Sequence, residues 1–201
     1  VFILLLIASC SENHQIEIII DESDQTESVV QKIEIDSVWS GHRVNFSLLT
    51  HKDRQYIAYY NSNRNMIVGQ RDLTDNKFDI YRMPAPKRLK NLEEKRSRIS
   101  ATEVGWDSHN SITVAVDKMG YIHLSGNMHV DSLTYFKSQK PNDIFSLKRK
   151  FPMVGPNELR ATYPKFMLTK DQDLIFHYRD GGSGNGNEIY NIYSTDKRSW
   201  T

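Results

Sequence analysis

The chain has 201 residues, of which 38% are hydrophobic and 25% are charged, and its formal net charge is +1 at pH 7. A net charge so close to zero neither favours nor excludes a polyanionic partner, so any such partner has to be recognised by local patches. The single cysteine, Cys10, excludes an intrachain disulfide.

The chain opens with an apolar run, residues 1–10, that is too short to span a bilayer as a helix. Its length and composition are typical of the hydrophobic core of a signal peptide. The end of the run, Ile7-Ala8-Ser9-Cys10, resembles a bacterial lipobox, in which the cysteine becomes the lipid-modified first residue of the mature protein. We therefore expect an exported protein that a lipid on Cys10 anchors in the bacterial cell envelope. The alternative is a buried N-terminal strand with an incidental cysteine.

Residues 11–36 are predicted to form a flexible acidic tether between the lipid and the folded domain. The segment has little apolar content beyond its isoleucines, so it cannot bury much surface. The folded domain is expected to occupy residues 37–201. The acidic residues in the first part of the tether are Glu12, Glu17, Asp21, Glu22, Asp24 and Glu27.

From about Trp39 onward the sequence contains many short β-rich runs separated by polar turn residues, without a helical period. Each of three sets of runs has a similar turn before its second run, at residues 51–55, 117–120 and 170–173. Four-stranded units that recur at about fifty residues are the signature of propeller blades, so the sequence predicts an all-β fold of the β-propeller class. The runs are residues 44–50, 55–60, 65–70 and 77–83, then 111–116, 121–125, 133–137 and 144–148, and finally 163–168, 174–178 and 188–193.

The last residues, 194–201, resemble the Asp-box of BNR repeats, a Ser-x-Asp turn followed by an aromatic residue, here Ser194, Asp196 and Trp200. The glycine that usually lies between the aspartate and the aromatic residue is missing. Three units and the start of a fourth would leave unpaired strand edges in an open ring, and no initiating Met precedes Val1. We therefore expect this sequence to be a fragment of a longer propeller, truncated at both ends.

Residues 86–98, between the first two units, form a strongly basic segment. A nucleic-acid patch would need interleaved aromatic residues for base stacking, and the segment has none. Together with the predicted export, this argues against a nucleic-acid partner. A solvated loop or short helix and a contact with an acidic polysaccharide are both compatible with the sequence.

Aromatic, histidine and glycine residues recur in specific runs from Trp39 to the C-terminus. Together these runs resemble the BNR-repeat-containing proteins, a family that includes ulvan-type polysaccharide lyases. The resemblance implies a seven-bladed β-propeller, of which about three blades are present here, and β-elimination at a uronic acid in a sulfated algal polysaccharide. The runs are Trp39-Ser40-Gly41-His42-Arg43-Val44, Tyr56-Ile57-Ala58-Tyr59-Tyr60, Trp106-Asp107-Ser108-His109-Asn110, residues 116–129 ending in Asn127-Met128-His129, Tyr135-Phe136, Thr162-Tyr163-Pro164-Lys165-Phe166 and residues 178–186.

β-Elimination at a uronate requires a cation that neutralises the C5 carboxylate, a base that removes the C5 proton and an acid that protonates the leaving glycosidic oxygen. The resemblance implies that His109 and Tyr163 transfer protons while His129 and Arg179 hold the uronate. A guanidinium matches a carboxylate bidentately, so neither a metal nor an organic cofactor is expected. The division of base and acid stays open, because a phenol is a weak base at neutral pH unless a nearby cation stabilises the phenolate. Four further residues are expected to bind substrate: Asn110, Asn127, His42 and Arg43.

Each of these catalytic assignments has a structural alternative. His109 can cap a turn, His129 can be a hydrogen-bonded structural histidine, and Arg179 can form an ordinary salt bridge with its neighbour. Tyr163, which we expect Pro164 to hold in an extended conformation, can equally pack in the core.

His123 lies in the middle of a predicted strand and is expected to be structural. The spacing of His109, His123 and His129 also permits a zinc site, but strand alternation and the lack of an obvious fourth ligand argue against it. The glycine-rich residues 181–186 predict a tight loop between strands beside the site, since no helix-forming sequence follows them to bind a phosphate.

The sequence thus favours an exported lyase acting on an anionic polysaccharide and touching the membrane only through its lipid anchor. A non-catalytic, glycan-binding propeller would share the fold and much of the site. A sialidase-like hydrolase is the other alternative, for which the sequence offers a partial set of residues: Arg160, Arg179, Tyr163 and Glu158.

Overall fold

The computed structural model of the chain describes residues 31–41, 43–85 and 100–201. The chain divides into two compact units, Val1–Lys32 and Ile33–Thr201, and every strand given below lies in the second unit. The predictions on Cys10, on His42, on the basic residues 86–98 and on most of the tether concern positions outside the described residues. Within the described ranges, no helix is long and apolar enough to cross a membrane.

The described part of the domain contains three antiparallel sheets, each a meander that follows chain order, as in a propeller blade. We call them blades 1, 2 and 3. Blade 1 consists of β1 (Ser47–His51), β2 (Arg54–Tyr60), β3 (Met66–Asp72) and β4 (Asp79–Arg82). Blade 2 consists of β5 (Ile112–Val116), β6 (Ile122–Gly126), β8 (Tyr135–Ser138) and β9 (Leu147–Arg149). Blade 3 consists of β10 (Ala161–Leu168), β11 (Leu174–Asp180), β12 (Asn187–Ser194) and β13 (Ser199–Trp200), with the short β7 (His129–Asp131) on the other side of β10.

The three predicted sets of strands are confirmed, with two differences. Residues Ile144–Ser146 form a turn of 3₁₀ helix and not a strand, because the carboxylate of Asp143 accepts a hydrogen bond from the Phe145 N–H at 2.9 Å and caps the turn. The C-terminal residues complete blade 3 as β13 and do not begin a fourth blade, since Tyr193 pairs with Trp200.

Two hydrophobic clusters join neighbouring blades. Strands β5 and β6 of blade 2 are buried along their whole length, because blades 1 and 3 pack on either side of them. The first strands of the three blades, β1, β5 and β10, line one cavity of about 650 Å³, as the inner strands of a propeller do around its axis. The cluster between blades 1 and 2 includes Tyr56, Val68, Val114, Leu124 and Phe136, and the cluster between blades 2 and 3 includes Tyr135, Phe176, Tyr178 and Trp200.

The chain crosses from blade 2 to the edge of blade 3 directly after β6, and this crossing positions the site. Strand β7 pairs with β10, so that His129 lies opposite Thr162. The crossing requires left-handed backbone at Asn127 (φ 62°) and at Val130 (φ 55°), which is unusual for a β-branched residue. The Val130 N–H donates to Oγ1 of Thr162 at 2.7 Å and holds the strained segment in place.

Candidate active site

Two imidazole rings share one carboxylate at the turn before β5. Nδ1 of His109 lies 2.6 Å from Oδ1 of Asp107, and Nδ1 of His129 lies 2.5 Å from Oδ2 of the same aspartate. The two rings stack with their centroids 4.1 Å apart and their planes inclined by 17°. Because an ionised carboxylate only accepts hydrogen bonds, Nδ1 of each ring donates, and Nε2 of each ring is left to exchange a proton with a ligand.

Asp107 is held by the backbone of its own turn as well as by the rings. Its Oδ1 accepts a hydrogen bond from the His109 N–H at 2.9 Å, the pattern of an Asx turn. Partial burial raises the pKa of Asp107, but the hydrogen bonds from the His109 backbone and from both imidazole rings outweigh burial and hold that pKa well below its ordinary value of 3.8. Asp107 is therefore ionised at neutral pH.

Tyr163 reaches the site from a β-bulge in β10. The pairing of β10 with β11 shifts register between Thr162 and Lys165, and Tyr163 within this bulge has a φ of 58°, in the left-handed region. The expectation that Pro164 holds Tyr163 extended is wrong, because the bulge decides the backbone conformation here. The bulge leaves Tyr163 41% exposed, with its ring centroid 5.6 Å from that of His109.

Arg179 comes from the end of β11, where the register pairs it with Thr162. Its guanidinium carbon lies 5.0 Å from the centroid of the Tyr163 ring. Nε of Arg179 is buried and has no hydrogen-bond partner among the described residues. The side chain as a whole is half-buried, so its terminal N–H groups are the part of the guanidinium that can bind a carboxylate.

The glycine-rich segment 181–186 is the loop between β11 and β12, as the sequence predicts. It packs against the aliphatic part of Arg179: a Cβ on Gly186 would lie 2.8 Å from Cγ and 2.9 Å from Cδ of Arg179, and 2.9 Å from the Gly182 carbonyl oxygen. Only a residue without a side chain lets the loop approach this closely. The loop therefore fixes the position of the guanidinium.

The structure brings the four predicted catalytic side chains together from two blades. His109 precedes blade 2, His129 lies on the crossing strand, and Tyr163 and Arg179 belong to blade 3. Their individual roles stay predictions. Asp107 is a site residue that was not predicted, although an aspartate two residues before a histidine is a signal for an Asx turn that can orient the ring.

The two asparagines expected to bind substrate are fully buried. The Asn127 amide donates to the backbone carbonyl oxygens of Ala101 at 3.1 Å and of Glu103 at 2.8 Å. Neither Asn110 nor Asn127 offers surface to a sugar, so the expected substrate contacts do not fit the structure, and Asn127 ties two loops together instead. Of the other two expected ligands, Arg43 is exposed and His42 lies outside the described residues.

His123 is structural, as expected: it is fully buried in β6, and its Nδ1 lies 2.8 Å from Oη of Tyr135. The zinc set of three histidines considered above is therefore not formed. Asp107, His109 and His129 instead place one ligand atom each within 4.8 Å of one another, a group that can hold a metal ion. A metal at the Nδ1 atoms would have to displace the protons that both rings donate to Asp107.

The blades thus form an all-β scaffold that presents two imidazoles, a phenol and a guanidinium side by side. This combination defines a site for proton transfer on an anionic ligand. A family model described as a BNR repeat-containing family member matches residues 54–201. The chain belongs to the BNR repeat-containing family.

The curated relatives are ulvan lyases. A long isoform from Alteromonas sp. is 28% identical, in an alignment covering 47% of this chain and 13% of that protein. A short isoform from Alteromonas sp. (strain LOR) is 27% identical, with 47% of this chain and 26% of that protein covered. A long isoform from Glaciecola sp. (strain KUL10) is 40% identical over 65 residues, or 32% of this chain and 6% of that protein.

Two solved structures share the fold. The crystal structure of the polysaccharide lyase Uly1 superposes with a TM-score of 0.63 at 17% identity, over 88% of this chain and 44% of that one. The PL25 ulvan lyase bound to -[GlcA(1-4)Rha3S]- gives a TM-score of 0.54 at 13% identity, over 77% and 36%. The likeness confirms the predicted propeller fold. The chain spans less than half of these structures and at most 26% of the curated relatives named here.

Proposed function

We propose that this chain is part of a polysaccharide lyase that cleaves a uronate-containing, anionic polysaccharide by β-elimination. The observation that carries the proposal is the contiguity of His109, Tyr163 and Arg179, with ring and guanidinium neighbours 5.0–5.6 Å apart. The names of the similar ulvan lyases, and the glycan bound to one of the similar structures, support a sulfated, ulvan-like polymer as the substrate.

Arg179 neutralises the uronate carboxylate in this proposal. The half-buried guanidinium can donate from its two terminal nitrogens to the two oxygens of the carboxylate. Neutralising the carboxylate makes the C5 proton more acidic, because the negative charge that develops on removal of that proton is stabilised. The neighbouring Gly186 keeps the guanidinium where this charge forms.

Tyr163 and His109 carry the two proton transfers. The Tyr163 ring lies beside the Arg179 guanidinium that would bind the carboxylate, which suits Tyr163 as the base that takes the neighbouring C5 proton. The electron pair of the C5–H bond then forms the C4–C5 double bond, the C4–O bond breaks, and the leaving oxygen takes a proton from Nε2 of His109. His129, whose Nδ1 donates to the same aspartate, can accept a hydrogen bond from a hydroxyl of the uronate at its Nε2.

The sialidase-like alternative is not favoured, because Glu158 is not available as part of a nucleophile pair. The Glu158 side chain is buried and accepts hydrogen bonds from the backbone N–H groups of Met153, Val154 and Gly155 at 2.9, 2.5 and 2.8 Å. A carboxylate satisfied in this way organises a turn.

The test is to incubate the complete protein with ulvan and to follow ultraviolet absorbance and new reducing ends together. Elimination produces both signals, because each cleavage leaves a 4,5-unsaturated uronate. New reducing ends without absorbance would indicate a hydrolase, and binding without either signal would indicate a glycan-binding propeller. The Tyr163→Phe variant should abolish both signals while still binding the polymer. Treatment with a chelator should leave the rate unchanged, and a loss restored by added zinc would contradict the metal-free scheme.

We also propose that the protein is exported and anchored through a lipid on Cys10. The proposal rests on the apolar run and the lipobox-like Ile7-Ala8-Ser9-Cys10. In a bacterial host, the full-length protein should label with a radioactive fatty acid and sediment with membranes, and the Cys10→Ala variant should do neither. Equal sedimentation of both variants would contradict the lipid anchor.

A further inference from the structure

A second polar cavity lies between blades 2 and 3, away from the site described above. It encloses about 360 Å³, which is within the range of small-ligand pockets. Three cationic side chains and three aromatic side chains line it: Lys137, Lys150 and Arg198, and Tyr121, Tyr135 and Trp200.

The part of this cavity formed by Tyr121 and Arg198 is at the opposite end of the strands from the catalytic residues. Tyr121 precedes β6, whereas His129 follows that strand. Arg198 lies in the turn after the end of β12, whereas Arg179 pairs beside the start of β12. An eight-residue strand such as β12 spans roughly 25 Å. None of the four catalytic candidates lines the cavity, so a ligand held there does not touch them.

The cations of the cavity are held in place by aromatic rings. The Nζ of Lys137 lies 4.7 Å from the centroid of the Tyr193 ring and 5.2 Å from that of the Tyr121 ring, and it donates to Oη of Tyr193 and to the carbonyl oxygen of Arg198. The Arg198 guanidinium carbon lies 5.2 Å from the same Tyr121 ring. Two cations thus share one ring, an arrangement that fixes their positions without neutralising them.

Electrostatics favour an anion in this cavity. Burial lowers the pKa of Lys137, the buried Asp117 raises it, and the neighbouring Arg198 and Lys150 lower it further by like-charge repulsion. Asp117 already accepts hydrogen bonds from the backbone N–H groups of Met119 and Tyr121, both at 2.9 Å. An anionic ligand would relieve the repulsion among the three cations.

The aromatic faces favour a sugar-borne anion over a nucleotide. The Tyr121 ring is already contacted by two cations, and the Trp200 indole is buried and donates its Nε1–H to Oη of Tyr135 at 2.9 Å. Flat bases bind to open aromatic faces, which these rings do not offer.

We propose that the cavity formed by Lys137, Lys150 and Arg198 is a second anion-binding site, which takes the sulfate group of an anionic glycan. The choice of a glycan rests on the proposed function, whereas the binding of an anion does not. Such a site would hold a second stretch of polymer on the protein, and so would raise the affinity for long chains over that of the catalytic site alone.

The test is a titration monitored by nuclear magnetic resonance of two indole N–H groups. Trp200 reports binding in the cavity, and Trp106, next to Asp107 in the sequence, reports binding at the catalytic site. The complete protein, in the Tyr163→Phe form to prevent cleavage, is titrated with a sulfated ulvan oligosaccharide, with its desulfated form, with inorganic sulfate and with a nucleoside monophosphate. The sulfated sugar should shift the Trp200 resonance, with weaker effects from free sulfate and from the other two probes.

The K150A/R198A double variant should bind the sulfated sugar at this cavity at least about tenfold more weakly, because each lost charged hydrogen-bond donor weakens the contact. The matched control is K148A/K197A, which removes one exposed lysine from β9, two residues before Lys150, and one from the turn that contains Arg198, both outside the cavity lining. It loses the same net charge and should bind as the parent does. Three results would overturn the proposal. The sulfated sugar could leave the Trp200 resonance unmoved, or free sulfate, the desulfated sugar or the nucleotide could move it as strongly. The resonance could also respond equally in the two double variants. A protein without lyase activity would leave this readout intact, so the two proposals fail separately.

Discussion

At the scale of single residues, the site depends on one carboxylate that orients two rings. Asp107 accepts from Nδ1 of both His109 and His129, so a change at Asp107 alters both imidazoles at once. Partial burial disfavours the ionised form of Asp107, but the hydrogen bonds that the carboxylate accepts stabilise that form by more. Its contribution to stability therefore depends on pH in a direction that can be tested.

The Asp107→Asn variant should be less stable than the parent at neutral pH, and the difference should shrink in acid. Because the folded-state pKa of Asp107 lies below the ordinary 3.8, its ionic contribution is complete above that value and is lost as the pH falls through the folded pKa. Urea unfolding of both proteins from about pH 7 down to about pH 2, below the ordinary pKa of the carboxyl, measures the difference in free energy of unfolding. A difference that stays constant or grows in acid would contradict the assigned direction.

The Arg179→Ala variant should lower kcat by on the order of 10²–10³-fold with the fold retained, because charge stabilisation that forms mainly in the transition state is lost. Arg179→Lys keeps the charge without the planar fork and should recover part of the rate. Steady-state kinetics with ulvan, alongside thermal unfolding, measures both effects. Unchanged kcat in Arg179→Ala would remove Arg179 from the mechanism.

The proximity of the four catalytic candidates could be predicted because the resemblance rests on specific runs of histidine, tyrosine and arginine. The role of Asn127 could not be predicted in this way. The residues around an asparagine in the sequence do not show whether its amide is exposed and binds a sugar or is buried and donates to carbonyl oxygens. Asn127 is buried and donates to two of them. Asp107 was missed for a related reason, since its partners are 2 and 22 residues away in sequence.

At the scale of elements, the bulge in β10 and the loop after β11 present Tyr163 and Arg179 to each other. The bulge turns Tyr163 out of the sheet, and the loop closes on the stem of Arg179 through Gly186. The sequence predicted the loop from its glycines. It did not predict the bulge, because Pro164 favours extended backbone at the preceding residue in most contexts, and here strand pairing overrides that preference.

The Gly186→Ala variant should lower kcat/KM by on the order of 10–100-fold, because the added Cβ would meet Cγ and Cδ of Arg179 at 2.8 and 2.9 Å and displace the guanidinium. Gly182→Ala is the matched control in the same loop. Its nearest contact would be Oδ1 of Asn185 at 3.2 Å, an atom that can move, so its rate should stay close to that of the parent. Equal losses in the two variants would mean that the loop as a whole, and not the contact with Arg179, limits the rate.

At the scale of the whole molecule, packing between blades sets stability, and the last strand contributes to it directly. Trp200 in β13 is 8% exposed and packs in the cluster between blades 2 and 3. The strand runs and their fifty-residue recurrence made the propeller predictable. The pairing of the C-terminal residues with β12 could not be predicted, because the degenerate Asp-box motif does not indicate whether its aromatic residue completes one blade or begins the next.

The Trp200→Ala variant should lower the free energy of unfolding by about 3–5 kcal/mol, because it leaves a cavity where a large buried side chain was. Met119→Ala, at an exposed position, should change it by less than about 0.5 kcal/mol. Denaturant unfolding of the complete protein measures both. A Trp200→Ala variant as stable as Met119→Ala would mean that β13 is not part of the blade 3 core.

The pairing of β7 with β10 determines which molecules in a preparation have a complete site. The imidazole pair is complete once the chain reaches His129, but the phenol and the guanidinium arrive only with the following sheet, which has to dock against β7 before all four groups meet. A molecule whose blade 3 has not docked against β7 lacks the complete site. If the proposed lyase activity holds, specific activity therefore counts only the molecules in which that sheet has docked.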